Sequence, residues 1–508
     1  MTPRTQTLRF DAVVVGTGAG GAPLLSRLAR AGLKVLALEA GPVHPLSEMA
    51  TDERTQEKLF WKDERISSGQ DPIGFGRNNS GIGVGGSTLH YTAYVPRVQP
   101  DDLKLRTEFG VGQDWPLEYS DLEPYYDELE HFLGISGPEH YPWGPPRNQS
   151  YRHAALPLNA AAKAMQRGCA ALGIRTSSAP NAALSAPQEQ EGYGVRHACT
   201  NRGFCQAGCS VGAKASVDVT FLPLAVKGGA EIRPNSFVTR FLLEGNRITG
   251  VEYLRDGLLE QVFTDTLFLC AGAIETPRLL LMQNLANSSG QVGRNFMAHV
   301  GTQVWGRFEE ETQPFMGIPG SLISEDTHRL EGMVGGYLLQ SIGAMPVTYA
   351  SQYARGTGTW GKKLLEHMSG YTKVAGINVL GEGLPYDGNF LELSPELDAR
   401  GLPKPIIHYS NGDNEKKMAA HAEKLMRDIW TAAGAHDLWT FPRGAHTLGT
   451  ARMGQDSRSS VINRDCKSWD LENLYICDNS IFPSSLSVNP ALTQMALSLR
   501  TADVFLKG

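Results

Sequence analysis

Two polar side chains near the end of the chain, His446 and Asn489, are of types that remove a proton and hold a hydroxyl group. His446 begins the segment HTLGTARMG, and Asn489 lies in SVNPALT. Histidine, with an ordinary pKa of about 6.5, can act as a base at neutral pH, and an amide can donate to a substrate oxygen. Spacing alone leaves open a buried structural histidine and a helix cap, because Pro490 suits the first position of a helix.

Three of the seven cysteines lie in the segment ACTNRGFCQAGC. Cys199, Cys205 and Cys209 form a C-x5-C-x3-C pattern, which is neither a ferredoxin spacing nor the shorter pair typical of zinc sites. The glycines between them would let the loop wrap around a bound group. The residues alone therefore leave three interpretations: a metal site, a disulfide with one spare thiol, or unpaired thiols.

The segment FDAVVVGTGAGGAPLLSRLARAGLKVLALEAG predicts a strand, a glycine turn, a helix and a second strand. Gly16 would make the tight turn, Gly18 would let the backbone approach a pyrophosphate, and Gly21 would pack helix against strand. The helix N-terminus offers free N–H groups to phosphate. Glu39, at the end of the second strand, would accept hydrogen bonds from a ribose, which favours FAD or NAD over NADP.

A second glycine-rich segment, NNSGIGVGGSTLH, predicts a close approach of backbone to a planar ligand. It contains Gly85, Gly86, Ser87 and His90. A flexible surface loop is the alternative interpretation.

The composition narrows the class of protein. The 508 residues include 47 basic and 53 acidic residues, so the net charge of −6 gives no basic surface for nucleic acid. We expect two domains from the length, and no membrane span, because no run of about eighteen apolar residues occurs. The N-terminus lacks the apolar segment of a signal peptide, which predicts a cytoplasmic protein. Export in complex with a signal-bearing partner would give the same sequence.

Taken in order, these motifs resemble the glucose–methanol–choline (GMC) oxidoreductases. GVGGSTLH, CAGAIETPRLLL, HTLGTARMG and DNSIFPSSLSVNPALT follow the N-terminal glycine fingerprint, and the resemblance runs from about residue 10 to residue 506. Within the family, the chain is most similar to the catalytic subunits of bacterial FAD-dependent sugar dehydrogenases. It departs from the family pattern at Ile82, where a basic residue is usual, and at Ala298 and Val300, where Asp and Pro are usual.

The resemblance implies an α/β fold with a Rossmann-like FAD-binding domain. That domain would comprise residues 1–97, 195–299 and 455–508. Residues 98–194 and 300–454 would form a mixed α+β substrate-binding domain built on an antiparallel sheet, with a lid segment near residues 140–160.

The resemblance also implies roles for individual residues. His446 would be the catalytic base and Asn489 the second active-site residue, while His90 would lie near the isoalloxazine without a covalent bond to it. The implied FAD contacts are Gly16, Gly18, Gly21, Glu39, Gly85, Gly86, Ser87, His90, Val238, Ala271, Asp478, Asn479, Asn489, Pro490 and Ala491.

The implied activity is oxidation of a hydroxyl group of a sugar, glycoside or related alcohol by hydride transfer to flavin N5. Cys199, Cys205 and Cys209 would hold a [3Fe-4S] cluster that passes electrons to a protein or quinone acceptor. The implied partners are a cytochrome subunit and a small chaperone or signal-bearing subunit. The alternative is an oxidase that reduces oxygen to hydrogen peroxide and whose cysteines bind no metal. A nicotinamide-dependent reductase is disfavoured by the single dinucleotide fingerprint, and a non-catalytic subunit by the presence of both His446 and Asn489.

Overall fold

The computed structural model describes residues 8–49, 52–71 and 80–508. The α-helices within these ranges are α1 (Gly21–Arg30), α2 (Leu105–Phe109), α3 (Tyr119–Leu133), α4 (Ala160–Ala171), α5 (Phe221–Lys227), α6 (Gly272–Met282), α7 (Pro346–Thr357), α8 (Lys362–Met368), α9 (Asp413–Ala432) and α10 (Ala491–Lys507). The strands are β1 (Arg9–Val15), β2 (Val35–Leu38), β3 (Ile66–Ser68), β4 (Ser136–Gly137), β5 (His153–Ala154), β6 (Ser177–Ser178), β7 (Gln188–Gln190), β8 (Gly194–Arg196), β9 (Glu231–Arg233), β10 (Ser236–Glu244), β11 (Arg247–Arg255), β12 (Leu258–Leu269), β13 (Met297–Arg307), β14 (Leu322–Ser324), β15 (Tyr337–Ile342), β16 (Val374–Gly381), β17 (Phe390–Leu397), β18 (Pro403–His408), β19 (Asp437–Leu448) and β20 (Leu474–Ile476).

The first large sheet is a parallel sheet with an antiparallel extension. Its order is β10-β11-β12-β1-β2-β9, and β20 pairs with the last residues of β12. The continuous apolar run at the end of β1 is fully enclosed, because Val13 and Val14 have no exposed surface. β1 runs parallel to β2 and to β12, so their carboxyl ends meet at one edge of the sheet. That edge is where open α/β sheets bind ligands.

The second large sheet is antiparallel, in the order β19-β13-β16-β15-β14-β6. Helix α9 packs against it with the apolar side chains that recur at helical spacing. Met418, Ala422, Met426 and Ile429 are all fully buried there. The pairing of β13 with β19 runs from Met297 opposite Leu448 to Arg307 opposite Asp437. This long pairing positions the segment that contains His446.

These two sheets confirm the predicted α/β class with an antiparallel second sheet. The domain boundaries and the lid near residues 140–160 stay predictions. Among the helices of the described ranges, none has the length and apolar character of a membrane span.

Candidate active site

A large cavity begins at the carboxyl ends of β1, β2 and β12 and reaches the end of β19. It therefore joins the first sheet to the second. Of the residues implied by the resemblance, the following line it: Gly16, Gly18, Glu39, Gly86, Ser87, His90, Val238, Ala271, His446, Asp478, Asn479, Asn489, Pro490 and Ala491. Gly21 and Gly85 are not among the residues that line it.

The three fingerprint glycines differ in what surrounds them. A Cβ on Gly16 would lie 2.4 Å from the carbonyl oxygen of Cys270, and one on Gly21 would lie 2.0 Å from the carbonyl oxygen of Gly16. A Cβ on Gly18 would meet only Gly86 Cα, at an ordinary 3.7 Å. Gly16 and Gly21 are thus required by packing, whereas the absent side chain of Gly18 leaves room on the cavity side. The start of α1 offers fewer N–H groups than the motif predicts. Ala22 N donates to the carbonyl oxygen of Gly18 at 3.0 Å, and Leu24 N donates to Ser498 Oγ at 3.0 Å. Because Pro23 has no N–H, the approach to phosphate is left mainly to the backbone of the turn at Gly18.

The Glu39 carboxylate connects three backbone segments at the wall of the cavity through hydrogen bonds. Its Oε2 accepts from the backbone N–H of Thr17 at 3.0 Å and from Thr17 Oγ1 at 2.8 Å. Its Oε1 accepts from the N–H groups of Gly41 at 3.0 Å and Gly83 at 3.3 Å. Burial raises the pKa of Glu39, although these hydrogen bonds oppose the shift. The sequence predicted a ribose contact, and the structure adds a structural role that spacing does not reveal.

Asp478 ties the start of α6 to the segment before α10. Its Oδ2 accepts from Gly272 N at 2.8 Å and from Thr276 Oγ1 at 2.6 Å, while its Oδ1 accepts from Ser480 N at 2.8 Å. Asn479 Nδ2 donates to the carbonyl oxygen of Thr447, just after His446. Asp478 and Asn479 therefore connect the cofactor side of the cavity to the histidine side.

His90 has a buried ring nitrogen that is available to a ligand. Its Nε2 has no hydrogen-bond partner among the described residues, and the ring packs edge-on against Phe60 at 4.8 Å. Burial lowers the pKa of His90 to about 3, so the ring is neutral. A neutral imidazole with an unpaired nitrogen on the cavity wall fits a planar heteroaromatic cofactor. Whether it bonds covalently stays a prediction.

A β-bulge places His446 at the cavity. In the pairing of β13 with β19, Ala298 lies opposite Thr447 and His299 opposite Ala445, so His446 is the extra residue. Its φ of +55° is in the left-handed region that side chains rarely adopt. Bulges redirect side chains and recur beside active sites. The motif predicted the importance of His446 but not the irregular backbone that directs it.

His299 fixes the tautomer of His446. His299 Nε2 lies 3.1 Å from the carbonyl oxygen of Leu486, which can only accept, so this nitrogen carries the proton. Burial lowers the pKa of His299 to about 4, so the ring is neutral and its Nδ1 is an acceptor. His446 Nδ1, 3.0 Å away, must then donate. The Nε2 of a neutral His446 is consequently unprotonated and free to accept a proton.

The environment keeps His446 in that neutral form. Burial, together with the charge of the neighbouring Arg443, holds the pKa of His446 well below its usual value. Asn489 lines the same cavity, and its Oδ1 accepts from Gln340 Nε2 at 3.4 Å. This contact leaves the Nδ2 group of Asn489 available as a donor. The interpretation of Asn489 as a helix cap is wrong, because Pro490 is the cap residue of α10.

Sequence reasoning missed two residues beside His446. The sequence gives only one signal for His299, a polar residue in an apolar strand segment. Arg443 lines the cavity three residues before His446, in the segment FPRGAH. Neither position stands out by type or spacing, because both depend on how β13 and β19 pair.

The cysteine loop lies beside the cavity. Cys199, Cys205 and Cys209 are partly buried and form no disulfide, which rules out the disulfide interpretation. Backbone N–H groups contact two of the sulfurs: Asn201 N lies 3.4 Å from Cys199 Sγ, and Lys214 N lies 3.4 Å from Cys209 Sγ. In the described ranges, no three His, Cys, Asp or Glu side chains are grouped as a site for one metal ion.

Comparisons with known proteins find relatives that cover nearly the whole chain. Family models described as GMC oxidoreductase match residues 78–301 and 385–498. The fructose dehydrogenase large subunit of Gluconobacter japonicus is 32% identical over 99% of this chain and 98% of its own length. A 2-methyl-1,2-propanediol dehydrogenase of Mycolicibacterium austroafricanum is 29% identical over 98% of this chain and 95% of its own. A formate oxidase variant from Aspergillus oryzae shares the fold, with a TM-score of 0.69, 15% identity and 99% of each chain covered.

Proposed function

Because the chain belongs to the GMC oxidoreductases, FAD-dependent enzymes that act on CH–OH groups, we propose that it oxidises a hydroxyl group of a sugar, glycoside or related alcohol with His446 as the base. Bound FAD would supply a hydride acceptor at N5. The observation that carries this proposal is the 3.0 Å contact between His446 Nδ1 and His299 Nδ1, which leaves His446 Nε2 as the proton acceptor at the end of the cavity that begins at the glycine fingerprint.

The chain's own residues account for the fate of the proton. The substrate hydroxyl loses its proton to His446 Nε2 as the hydride leaves the adjacent carbon. The Nδ2 group of Asn489 donates to the same oxygen and stabilises the charge that develops there. The N-terminus of α10, which no side chain caps, lines the cavity at Pro490 and Ala491. Its dipole favours negative charge on the reduced cofactor.

The residues on the cavity wall fit FAD. Gly16, Gly18 and the start of α1 would hold the pyrophosphate, and Glu39 lies where a ribose would bind. We place the unpaired His90 Nε2 beside the isoalloxazine without a covalent link. Acid precipitation tests this assignment: released flavin is expected in the supernatant, and flavin that stays with the denatured protein would contradict it.

The cysteine loop would provide an electron-transfer path from the flavin to an external acceptor. Gln206, between Cys205 and Cys209, lines the cavity, so the loop and the proposed flavin site share a wall. Each thiolate of a [3Fe-4S] cluster binds a different iron, so its three ligands need not converge on one point. N–H groups directed at the sulfurs suit thiolate ligands. The cluster would pass single electrons to a cytochrome subunit or quinone. A small chaperone or signal-bearing subunit is a further proposed partner.

Elemental analysis and spectroscopy test the cluster directly. Iron and acid-labile sulfide near three and four per chain, with absorbance around 400 nm beyond that of the flavin, are expected. Cys205→Ser is expected to lose the iron while flavin reduction by substrate continues. Cys169→Ser, which removes a buried thiol on α4, is the matched control and should keep the iron. Iron-free protein that releases hydrogen peroxide on turnover would favour the oxidase alternative.

A panel of sugars and alcohols with an artificial electron acceptor tests the base. His446→Ala is expected to lower turnover by about 100- to 10,000-fold, the usual contribution of general base catalysis. His436→Ala, which removes a half-exposed surface imidazole, is the control. Equal turnover of the two variants at full flavin loading would refute the role of His446.

A further inference from the structure

Arg443 is an active-site arginine that has no partner among the residues that the structure describes. It lines both the large cavity and a smaller cavity that adjoins it at His446. Its side chain makes no hydrogen bond or ion pair with any residue that the structure describes, and it is exposed towards these cavities. Arg65, on the wall of the same large cavity, instead contacts Glu275 at 3.0 Å. The charge of Arg443 is therefore left for a ligand.

The smaller cavity is rich in amides and lacks acids. Gln206, Gln303, Gln340, Gln352, Asn378 and Asn489 line it, and none of its described lining residues carries a carboxylate. Gln352 Oε1 and Asn378 Oδ1 are buried and have no hydrogen-bond partner in the described part of the chain. Unpaired buried amides indicate a ligand with many hydroxyl groups, because each free acceptor can take one O–H.

The position of the Arg443 guanidinium, on the wall of both cavities, favours an anionic ligand. Burial lowers the pKa of Arg443, although its side chain keeps surface open to the two cavities. A substrate that enters them displaces the water that solvates this charge. A carboxylate matches the planar donor pair of arginine and replaces the lost solvation with two charge-assisted hydrogen bonds. A neutral hydroxyl group would leave the charge uncompensated.

We propose that the substrate is a polyhydroxy acid, such as an aldonate or uronate, whose carboxylate binds Arg443 while the amides of the smaller cavity bind its hydroxyl groups. The inference rests on the proposed function, because the hydroxyl that reacts must reach His446 in the same cavity. Arg443 and His446 are three residues apart on the same strand. At about 3.3 Å per residue, their Cα atoms are at most about 10 Å apart. An acid of five or six carbons can contact both side chains.

Paired substrates test the proposal in the holoenzyme. Five- and six-carbon aldonates and uronates are each compared with the primary amide of the same skeleton. The wild type is expected to prefer the acids in kcat/KM. Arg443→Gln is expected to reduce that acid-to-amide ratio by about 10- to 100-fold, mainly through KM, as expected for a charge-assisted hydrogen bond. Arg443→Lys should retain part of the ratio. Arg355→Gln, on exposed α7, is the control variant.

A binding measurement separates this inference from the proposed base. Adipate has carboxylates but no hydroxyl group, and its binding is followed by the change in flavin absorbance of the His446→Ala holoenzyme. Adding Arg443→Gln is expected to weaken that binding by about 10-fold or more. Unchanged adipate binding, or equal loss of acid and amide turnover, would overturn the carboxylate assignment. Neutral sugars that are still oxidised in a His446-dependent reaction would leave the proposed function standing.

Discussion

We predict that replacing His299 with leucine slows the chemical step, although we assign His299 no contact with the substrate. His299 Nδ1 accepts from His446 Nδ1–H at 3.0 Å, and its own Nε2 donates to the carbonyl oxygen of Leu486 at 3.1 Å. Leucine fills similar space but can do neither. The Nδ1–H of His446 is then left unpaired in a buried place, and the tautomer with its proton on Nε2 becomes accessible. That tautomer cannot accept the proton of the hydroxyl group.

The magnitude follows from the lost hydrogen bond. An unsatisfied buried donor costs about 1–3 kcal/mol, and about 1.4 kcal/mol corresponds to a factor of ten in rate. We therefore expect kcat to fall by about 10- to 100-fold with little change in KM. A neutral His299 that accepts from Nδ1–H stabilises the protonated form of His446, so its replacement by leucine lowers the pKa of His446 further. A base with a lower pKa is protonated later as pH falls, so the acid limb of the kcat/KM profile moves to lower pH.

The assay is steady-state turnover against pH, at matched flavin content, for His299→Leu and His299→Gln. The glutamine carboxamide can accept from His446 and donate to Leu486, so it is expected to restore most of kcat. A merely structural role of His299 would change flavin content or thermal stability but not the position of the acid limb. If His299→Leu has wild-type kcat and an unmoved acid limb, the tautomer argument is wrong.

Three further predictions concern the same cavity. The pKa of His446 lies well below its usual value, so wild-type kcat/KM should stay level from pH 8 to 6.5 and fall only in more acid solution; an acid limb above pH 6.5 would contradict this. Gly18→Ala should fold, since its Cβ meets only Gly86 at 3.7 Å, but should bind FAD at least 10-fold more weakly; Gly21→Ala, whose Cβ lies 2.0 Å from a carbonyl oxygen, should instead lower the melting temperature. Asn489→Ala should reduce kcat by about 100-fold, measured beside flavin content, because it removes a donor to the developing charge.

The cofactor side of the site was predictable because its geometry is local. Gly16, Gly18 and Gly21 act within a few residues of one another, so their spacing alone indicates a turn, an approach and a packing contact. The start of α10 was predicted to within one residue, because Pro490 suits the first turn of a helix and the helix begins at Ala491. Local patterns are reliable where each residue interacts with its chain neighbours.

The histidine side was not predictable in the same way. Whether His299 contacts His446 depends on the register between two strands that are far apart in the chain. Glu39 illustrates a milder case, because its motif indicates a ribose contact but not its bonds to Thr17, Gly41 and Gly83. That Arg443 lacks a partner in the described ranges is a property of its surroundings in the fold.

The bulge at His446 links the proposed base to the proposed anchor. Successive side chains of a regular strand point to opposite faces, so residues three apart, such as Arg443 and His446, would face opposite sides of the sheet. The extra residue in β19 changes the face of the sheet to which the His446 side chain points. As a result, Arg443 and His446 line the same cavity. The left-handed backbone of His446 costs about 1–3 kcal/mol. The hydrogen bond from His446 to His299 and the long pairing of β13 with β19 offset that strain. A regular strand would be more stable at this position, but it would separate the proton acceptor from the cation that we assign to the substrate carboxylate.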